Sequence, residues 1–482
     1  MVSGVLFALA LPPFDREFLG WFALAPLLVA VCVPGRRALH AVGLGMVAGI
    51  GAGIVQIRGG DGIAPDRLSF SYLPFIWIAL VFGVTAALAG EARKRWPIER
   101  LSLWPLFVAC AGVAVEWLTT LSPLPVGIAL CQYRNLPLIQ IASVTGIWGV
   151  SFLLWLTNAA LADAILCRRV TKAVGVSVAL VGGVVLLGGL HLMDTRDVLV
   201  RKPLTTVAAI QDFSGTDGAN PDGTRGGADL PDTEALVRQA ARGGARLIVG
   251  SEEALGRSFT PEDPGSDSAK LARETGRCLV VGYQQPGKEK DFNCAALIGT
   301  DGVTRGVHRK IHLFLGERNA VEAGSMPTVV ESGDSAIGRV GLLICFDTCW
   351  TALVRAEAAQ GARIIALPNY DPPTPCAVLH HLHTALMPFR AVENGVAIVR
   401  ADPNGRSLVV DGWGAIVSQA SLYEAEAVVG EIHLTDGGTV FTQWGDWLAY
   451  LCATACAAVP LLRVRRKPAT TSANPQPGSD TE

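Results

Sequence analysis

Along the first 195 positions, apolar residues come in long, nearly unbroken runs, without the spaced polar positions that mark a surface helix or a half-buried strand. A helix that crosses a bilayer needs about 20 mostly apolar residues. Seven such runs precede residue 195, at roughly 3–13, 19–34, 40–57, 73–91, 102–121, 139–166 and 173–193, and an eighth follows at 446–462. The first is the shortest and stops at Pro12 and Pro13. The pattern predicts a polytopic α-helical membrane domain of about eight transmembrane helices. It divides the chain into 1–194 with seven spans, an extramembrane block 195–445, a last span 446–463 and a tail 464–482.

From Leu204 the texture changes to short β-rich runs separated by helical ones. "LTTVAAIQ", "ARLIVGSEEAL", "CLVVGYQQ", "FNCAALIGTDG", "RVGLLICFD", "ARIIALPN", "GVAIVRAD" and "SLVVDGWGAIV" each read as a strand. Helical stretches at 233–243, 266–276, 352–360 and 378–394 lie between many of them. This is the signature of a layered α/β domain of about 240 residues. Several strands are near-continuous Val, Ile and Leu, as expected when both faces are covered.

Bulk composition agrees with a part-membrane chain: 50% hydrophobic and 17% charged residues, with a mean hydropathy of +0.38. A net charge of −2 offers no basic stripe and excludes a nucleic-acid partner. The 11 cysteines are odd in number and scattered, with no C-x-x-C pair, so neither a disulfide framework, a metal site nor a cofactor is expected. Charge also orients the spans, because cytoplasmic loops collect Lys and Arg. Arg36 and Arg37, then Arg93, Lys94, Arg95 and Arg100, then Arg168, Arg169 and Lys172, and finally Arg463, Arg465, Arg466 and Lys467 fall on one side. The opposite loops hold only Arg16, Arg58, Arg67 and Arg134. Residues 195–445 are therefore expected outside the cytoplasm and the C-terminus inside it. No separate cleavable signal peptide is expected, since the apolar start leads into further spans. The tail "PATTSANPQPGSDTE" is polar and Pro-rich, and reads as disordered.

Chemistry is most naturally sought where strands end. Glu252 ends "RLIVGSE", Lys310 follows the hairpin "CAALIGTDGVTRGVHRK", and Cys345 ends "VGLLIC". Singly, a Cys after an apolar strand is usually a small core residue and a Lys or Glu beside a strand a solvated charge. Their joint occurrence in these local patterns changes the reading.

"FNCAALIGTDGVTRGVHRKIHLF" followed by "VGLLICFD" closely resembles the carbon–nitrogen hydrolase, or nitrilase, superfamily. That resemblance implies a catalytic set of Glu252, Lys310 and Cys345 on an αββα sandwich. "LALPPFDREFLGWFALAPLL" and "YRNLPLIQIASVTGIWGVSFLLWLTNAALAD" in the apolar part, with "FRAVENGVAIVRA" and "GGTVFTQWGDW", are similar to the apolipoprotein N-acyltransferase family within it. Departures are Asp347 where that family usually has Glu, Ser251 where it has Pro, "YDPPTP" in place of a Trp-containing loop, and "ADPNGRS" for Thr-Asn-x-Gly-x-Ser.

The resemblance implies a two-step acyl transfer in the bacterial cytoplasmic membrane, from a phospholipid such as phosphatidylethanolamine to the N-terminal amine of a diacylglyceryl apolipoprotein. Cys345 would carry the acyl group as a thioester, Glu252 would act as general base, and Lys310 with a backbone N–H would hold the oxyanion. Glu317, Asp347 and Phe346 are expected in support, with Trp350 and Tyr370 near a lipid groove. The alternative is a membrane-tethered amidase in which water replaces the amine. Cys349, Cys452 and Cys456 read as packing residues, and His380, His381 and His383 as a helix cluster without acidic partners.

Overall fold

The computed structural model describes residues 1–59, 73–96, 103–121, 127–199, 204–212, 233–252, 259–314, 316–371 and 378–458. The tail 464–482, the end of the last span and most of "YDPPTP" lie outside them.

Four helices among the described residues are long and apolar enough to cross a membrane: Ala38–Arg58, Pro74–Arg95, Trp148–Cys167 and Lys172–Thr195. Val2–Ala10, Trp104–Thr119 and Trp447–Ala458 answer to three more of the apolar runs but are shorter. Two runs take a different form from the one expected. The run at 19–34 is a 3-10 turn, Glu17–Trp21, followed by the short helix Ala25–Val31, with Pro26 in its first turn. The run at 139–166 is interrupted at Gly146, whose φ of +68° ends the short helix Ala142–Thr145 before Trp148–Cys167 begins. Window-averaged hydropathy is blind to such breaks: Pro26 lies among apolar residues, and Ser143 and Thr145 before Gly146 are too few to interrupt the run.

Helices Ala38–Gly59 and Leu73–Arg95 approach most closely along a stripe of small residues. A Cβ at Gly45 would lie 2.4 Å from Phe82 O, one at Gly49 2.3 Å from Ala79 Cα, and one at Gly53 2.8 Å from the Phe75 side chain. Between lipid-facing helices this close packing replaces the hydrophobic drive that water would supply. The charged groups Arg93, Asp163 and Glu116 inside the bundle are paired. Arg93 meets Asp163 at 2.7 Å, and Glu116 accepts from Trp155 Nε1 (2.5 Å), Ser151 Oγ (2.9 Å) and Ile128 N (3.2 Å).

The second part contains strands β1 (Leu204–Gln211), β2 (Leu247–Val249), β3 (Cys278–Gln285), β4 (Phe292–Ile298), β5 (Thr304–Arg309), β6 (Thr328–Glu331), β7 (Arg339–Leu342), β8 (Ile364–Pro368), β9 (Ala397–Ala401), β10 (Leu408–Val410), β11 (Ile416–Gln419) and β12 (Glu426–His433). They form two six-stranded sheets, in the orders β12-β1-β2-β3-β4-β5 and β11-β10-β9-β8-β7-β6. One plan is used twice. Strands β1, β2 and β3 run parallel and lead into antiparallel β4 and β5. Likewise β7, β8 and β9 run parallel and lead into antiparallel β10 and β11. Crossover helices Thr233–Arg242 and Asp267–Thr275 serve the first sheet, Thr351–Ala359 and Val378–Asn394 the second.

The sheets stack through Val207, Val249 and Val280 on one side and Val340, Ile364 and Val399 on the other. Leu236, Val237 and Leu271 cover the outside of the first sheet. The outside of the second behaves differently: Ile365, Ile398 and Val410 belong to one continuous apolar cluster with Leu386 and Phe389 and with Trp148, Leu154 and Trp155 of the membrane helices. Polar ties cross the same boundary. Asp446 accepts from Trp148 Nε1 (2.8 Å) and Thr351 Oγ1 (3.1 Å), Glu393 from Ile147 N (2.8 Å), and Gln140 Nε2 donates to Trp413 O (2.9 Å). The expected single strand "SLVVDGWGAIV" is a hairpin instead. Asp411 Oδ1 accepts from the N–H groups of Trp413 and Ala415, both at 2.9 Å, and Gly414 turns the chain at φ +84°.

Replacing Gly49 by Leu should force the two closest helices apart, lowering stability by roughly 3 kcal/mol; thermal unfolding of the detergent-solubilised protein should show a large downward shift relative to Gly175→Leu, where a Cβ meets nothing within 4 Å.

Candidate active site

Strand β7 ends at Leu342, and three residues later Cys345 opens the 3-10 turn Cys345–Cys349 with φ +46°. A non-glycine residue in this left-handed region carries strain of about 1–3 kcal/mol. The strain turns the thiol out of the strand line while the backbone of the turn stays with its own hydrogen bonds. Cys345 is 7% exposed, and its Sγ lies 3.7 Å from Tyr370 O. Burial pushes the thiol well above its ordinary pKa, Lys310 acting in the opposite sense.

Lys310 continues β5, its N–H donating to Asn293 O at 2.8 Å. The side chain is 1% exposed. Its Nζ donates to Glu317 Oε1 at 2.6 Å and to Glu252 Oε1 at 3.2 Å. Burial works against this charge but is outweighed by Glu252, Cys345 and Glu317, which raise the ammonium pKa above its usual value. Glu252 follows β2 and is anchored through its own N–H to Asn369 O (3.3 Å), which ties the two sheets together at the site. Asn293 Nδ2 donates to the same Glu252 oxygen that Lys310 contacts. Burial raises the Glu252 carboxyl to about 7, with Lys310 opposing. The second oxygen of Glu317 accepts from Phe314 N at 2.6 Å, so Glu317 both pairs with Lys310 and shapes the loop after it.

Asp347 faces away from this cluster. Its Oδ1 accepts from His312 N (2.7 Å) and Ile311 N (3.2 Å), and its Oδ2 meets His308 Nε2 (3.1 Å) and Ile344 N (3.3 Å). Although burial opposes ionisation, the hydrogen bonds from His308 and His312 hold its carboxyl well below the usual range. Asp347 therefore pins the Lys310 loop to the cysteine turn. Phe346 packs edge-on against Phe314 (5.2 Å) and Trp350 (4.7 Å), and His312 stacks on Trp350 at 3.8 Å.

The histidine cluster does have acidic partners, contrary to the reading from sequence. They come from the ends of strands β8 and β9, outside the helix that carries the histidines, which is why helical spacing could not reveal them. His383 Nδ1 lies 2.9 Å from Asp371 Oδ1, and its Nε2 lies 3.2 Å from Thr348 Oγ1. Burial favours the neutral ring, yet Asp371 wins and raises His383 to about 10. Asp371, His380 and Asp402 bring possible metal-ligand atoms within 4.8 Å of one another. Arg400 Nη2 bonds both carboxylates there, so a guanidinium already supplies the cation.

Two family matches divide the chain as the fold does. Residues 227–440 match the carbon–nitrogen hydrolase family, and residues 3–160 match the apolipoprotein N-acyltransferase N-terminal domain. A curated apolipoprotein N-acyltransferase of Geobacter metallireducens is 31% identical over 506 residues, covering 97% of this chain and 95% of that protein. The chain belongs to the apolipoprotein N-acyltransferase family. A second relative of that name, from Gloeobacter violaceus, is 29% identical over 491 residues, covering 94% of this chain and 91% of its own. Among solved structures, an amidase from Nesterenkonia sp. is similar at 23% identity with a TM-score of 0.37, covering 47% of this chain and 89% of the amidase.

Within this family frame, sequence reasoning had singled out Glu252, Lys310, Glu317 and Cys345, which lie together. Asp347 and Phe346 adjoin them in other roles. Sequence reasoning missed Asn293 and His308. Asn293 was findable as the polar residue opening the apolar run "FNCAALI", and His308 as the buried side chain two before Lys310, but their partners depend on strand register.

Alkylation of Cys345 should rise as pH climbs through about 7, where Glu252 loses its proton and can act as base, and then level off. Glu252→Gln should remove that inflection and slow the reaction at least about a hundredfold, read as iodoacetamide adduct by mass spectrometry. Because the folded state holds this proton more tightly than the unfolded chain, the same group should lower stability as pH rises from about 4 to about 7. Asp347→Ala should remove a partner from His308 Nε2 and from the backbone N–H groups of Ile311, His312 and Ile344, costing about 3 kcal/mol; a melting curve within one degree of wild type would contradict this role.

Proposed function

We propose that the protein is an outward-facing, multi-pass enzyme of the bacterial inner membrane that moves an acyl chain from a phospholipid to the N-terminal amine of a diacylglyceryl apolipoprotein. The observation that carries this reading is the position of Cys345. The nucleophile turn shares one apolar cluster with the membrane helices, while its polar side faces the buried Glu252–Lys310–Glu317 group. A hydrolase of small soluble amides has no use for such a junction. Family membership and the names of the full-length relatives support the acceptor class.

The arrangement of these groups supports the following cycle. Glu252 takes the proton of Cys345, and the thiolate attacks the ester carbonyl of the donor. Lys310 Nζ and the Phe346 N–H hold the oxyanion as the tetrahedral adduct forms. Collapse breaks the ester C–O bond, Glu252 returns the proton to the leaving alcohol, and the acyl group stays as a thioester. The acceptor amine then attacks, Glu252 takes its proton, and the thiol is regenerated. Glu317 keeps Lys310 in place. Four arginine or lysine clusters in alternate loops support a cytoplasmic C-terminus and about eight spans.

Intact-mass spectrometry of the purified protein with phosphatidylethanolamine should show an acyl adduct on Cys345, absent in Cys345→Ala and in Lys310→Met. Adding a diacylated lipopeptide should move the adduct to the peptide amine. Release as free fatty acid alone would identify a hydrolase, and full acylation of Lys310→Met would sink the oxyanion assignment.

A further inference from the structure

The peptide unit that joins Cys345 to Phe346 carries two groups of consequence. Its N–H is the proposed oxyanion donor, and its carbonyl points the opposite way, because the unit is trans, planar and rigid. Whatever holds that carbonyl therefore also aims the N–H. Thr348 Oγ1 donates to Cys345 O at 2.9 Å from a fully buried side chain. The same turn is gripped again where Arg390 Nε donates to Thr348 O at 3.0 Å.

The protons available fix the state of the residue behind Thr348. A threonine hydroxyl has one proton, and here it goes to Cys345 O. His383 Nε2 lies 3.2 Å from the same hydroxyl oxygen and so donates to it. On the other side of the ring, Nδ1 lies 2.9 Å from Asp371 Oδ1. Although burial opposes ionisation, His383 and Arg400 keep Asp371 a carboxylate, so Nδ1 donates as well. With both ring nitrogens protonated, His383 is an imidazolium at 6% exposure. Burial alone would favour the neutral ring, and Asp371 overrides it. The charged and titratable groups around the ring are Asp371 and Cys349, with Arg400, Asp402 and His380 beyond them.

Asp371 is itself fixed on both sides of its backbone. Its N–H donates to Asp402 Oδ2 at 3.1 Å, and its carbonyl accepts from Asn404 Nδ2 at 3.0 Å. The residue before it, Tyr370, presents the carbonyl that meets the Cys345 thiol. One buried group thus bears on the nucleophile from its sulfur side and from its backbone side.

We infer that Asp371 and the His383 imidazolium are positioning residues for the oxyanion site: they commit the Thr348 proton to Cys345 O and so hold the Phe346 N–H on the reacting carbonyl. The inference rests on the assignment above of Cys345 as nucleophile and of the Phe346 N–H as oxyanion donor. A glutamine in place of His383 would turn its amide nitrogen to the Asp371 carboxylate and its oxygen to Thr348. The hydroxyl would then face two acceptors with one proton, and the Cys345–Phe346 peptide would lose a hold.

The test compares two reactions of one thiol in the full-length protein in detergent. With p-nitrophenyl butyrate, the Cys345 sulfur bonds the acyl carbon, the ester C–O bond breaks, p-nitrophenolate leaves and the thiol proton passes to Glu252. With iodoacetamide, the sulfur displaces iodide and no oxyanion forms. Thr348→Val and His383→Gln should each slow acylation by at least about tenfold while alkylation stays within about twofold of wild type. Thr348→Ser should restore acylation, and Thr348→Val/His383→Gln should lose no more than either change alone. Equal losses in both reactions mark a general disturbance of the turn and overturn the inference, as do additive losses in the double variant or wild-type acylation in Thr348→Val. Wild type that is alkylated at Cys345 and forms no butyryl adduct overturns the nucleophile and oxyanion assignments, and the inference with them.

Discussion

An ammonium ion at 1% exposure, bonded to two carboxylates at 2.6 and 3.2 Å, is the constraint around which the α/β domain is arranged. A charge so far from water is tolerated only where its partners are fixed. Each partner is fixed by something else: Glu317 by the Phe314 N–H, Glu252 by Asn293 and by the hydrogen bond to Asn369 across the sheets, and the loop carrying the lysine by Asp347. The arrangement also suits the proposed chemistry. Moving a proton from Cys345 to Glu252 leaves the summed charge of the cluster unchanged, so the site needs no solvent to rearrange while the nucleophile is made.

The second constraint is continuity of the apolar interior. The first sheet is covered by its own two crossover helices and would be at home in water. The second is covered by helices that are themselves packed on the membrane bundle, with Asp446, Glu393 and Gln140 supplying the polar ties. The two parts of the chain are therefore joined by a packed interface, and the strained cysteine turn sits on the side of the sandwich that belongs to it.

Much of this was legible in the sequence, for identifiable reasons. Buried parallel strands announce themselves as Val/Ile/Leu runs, and β1, β3, β8 and β9 fall where those runs lie. The four crossover helices match their periodic stretches closely. Glu252, Lys310 and Cys345 stood out because each ends a strand. Edge strands were less visible: β6 is four residues long and β12 begins and nearly ends with charged or polar positions. The breaks at Pro26 and Gly146 lie inside apolar sequence and leave no hydropathy trace. Least legible were contacts made by register and by long loops, such as Asp371 with His383 and Asp347 with His308, because nothing local in the chain encodes them.

The double use of one strand plan has a consequence for how the chain matures. Glu252 and Lys310 come from the first sheet and Cys345 from the second, and the Glu252 N–H reaches over to Asn369 O. A chain emerging in order therefore carries the proposed base and cation before the proposed nucleophile, and until the second sheet is in place the thiol has no base beside it. Reactivity arrives only when the second sheet closes on the first. On the proposed chemistry, a half-made copy in a lipid-rich environment is thus quiet, and the fold itself acts as the safety catch on the Cys345 thiol.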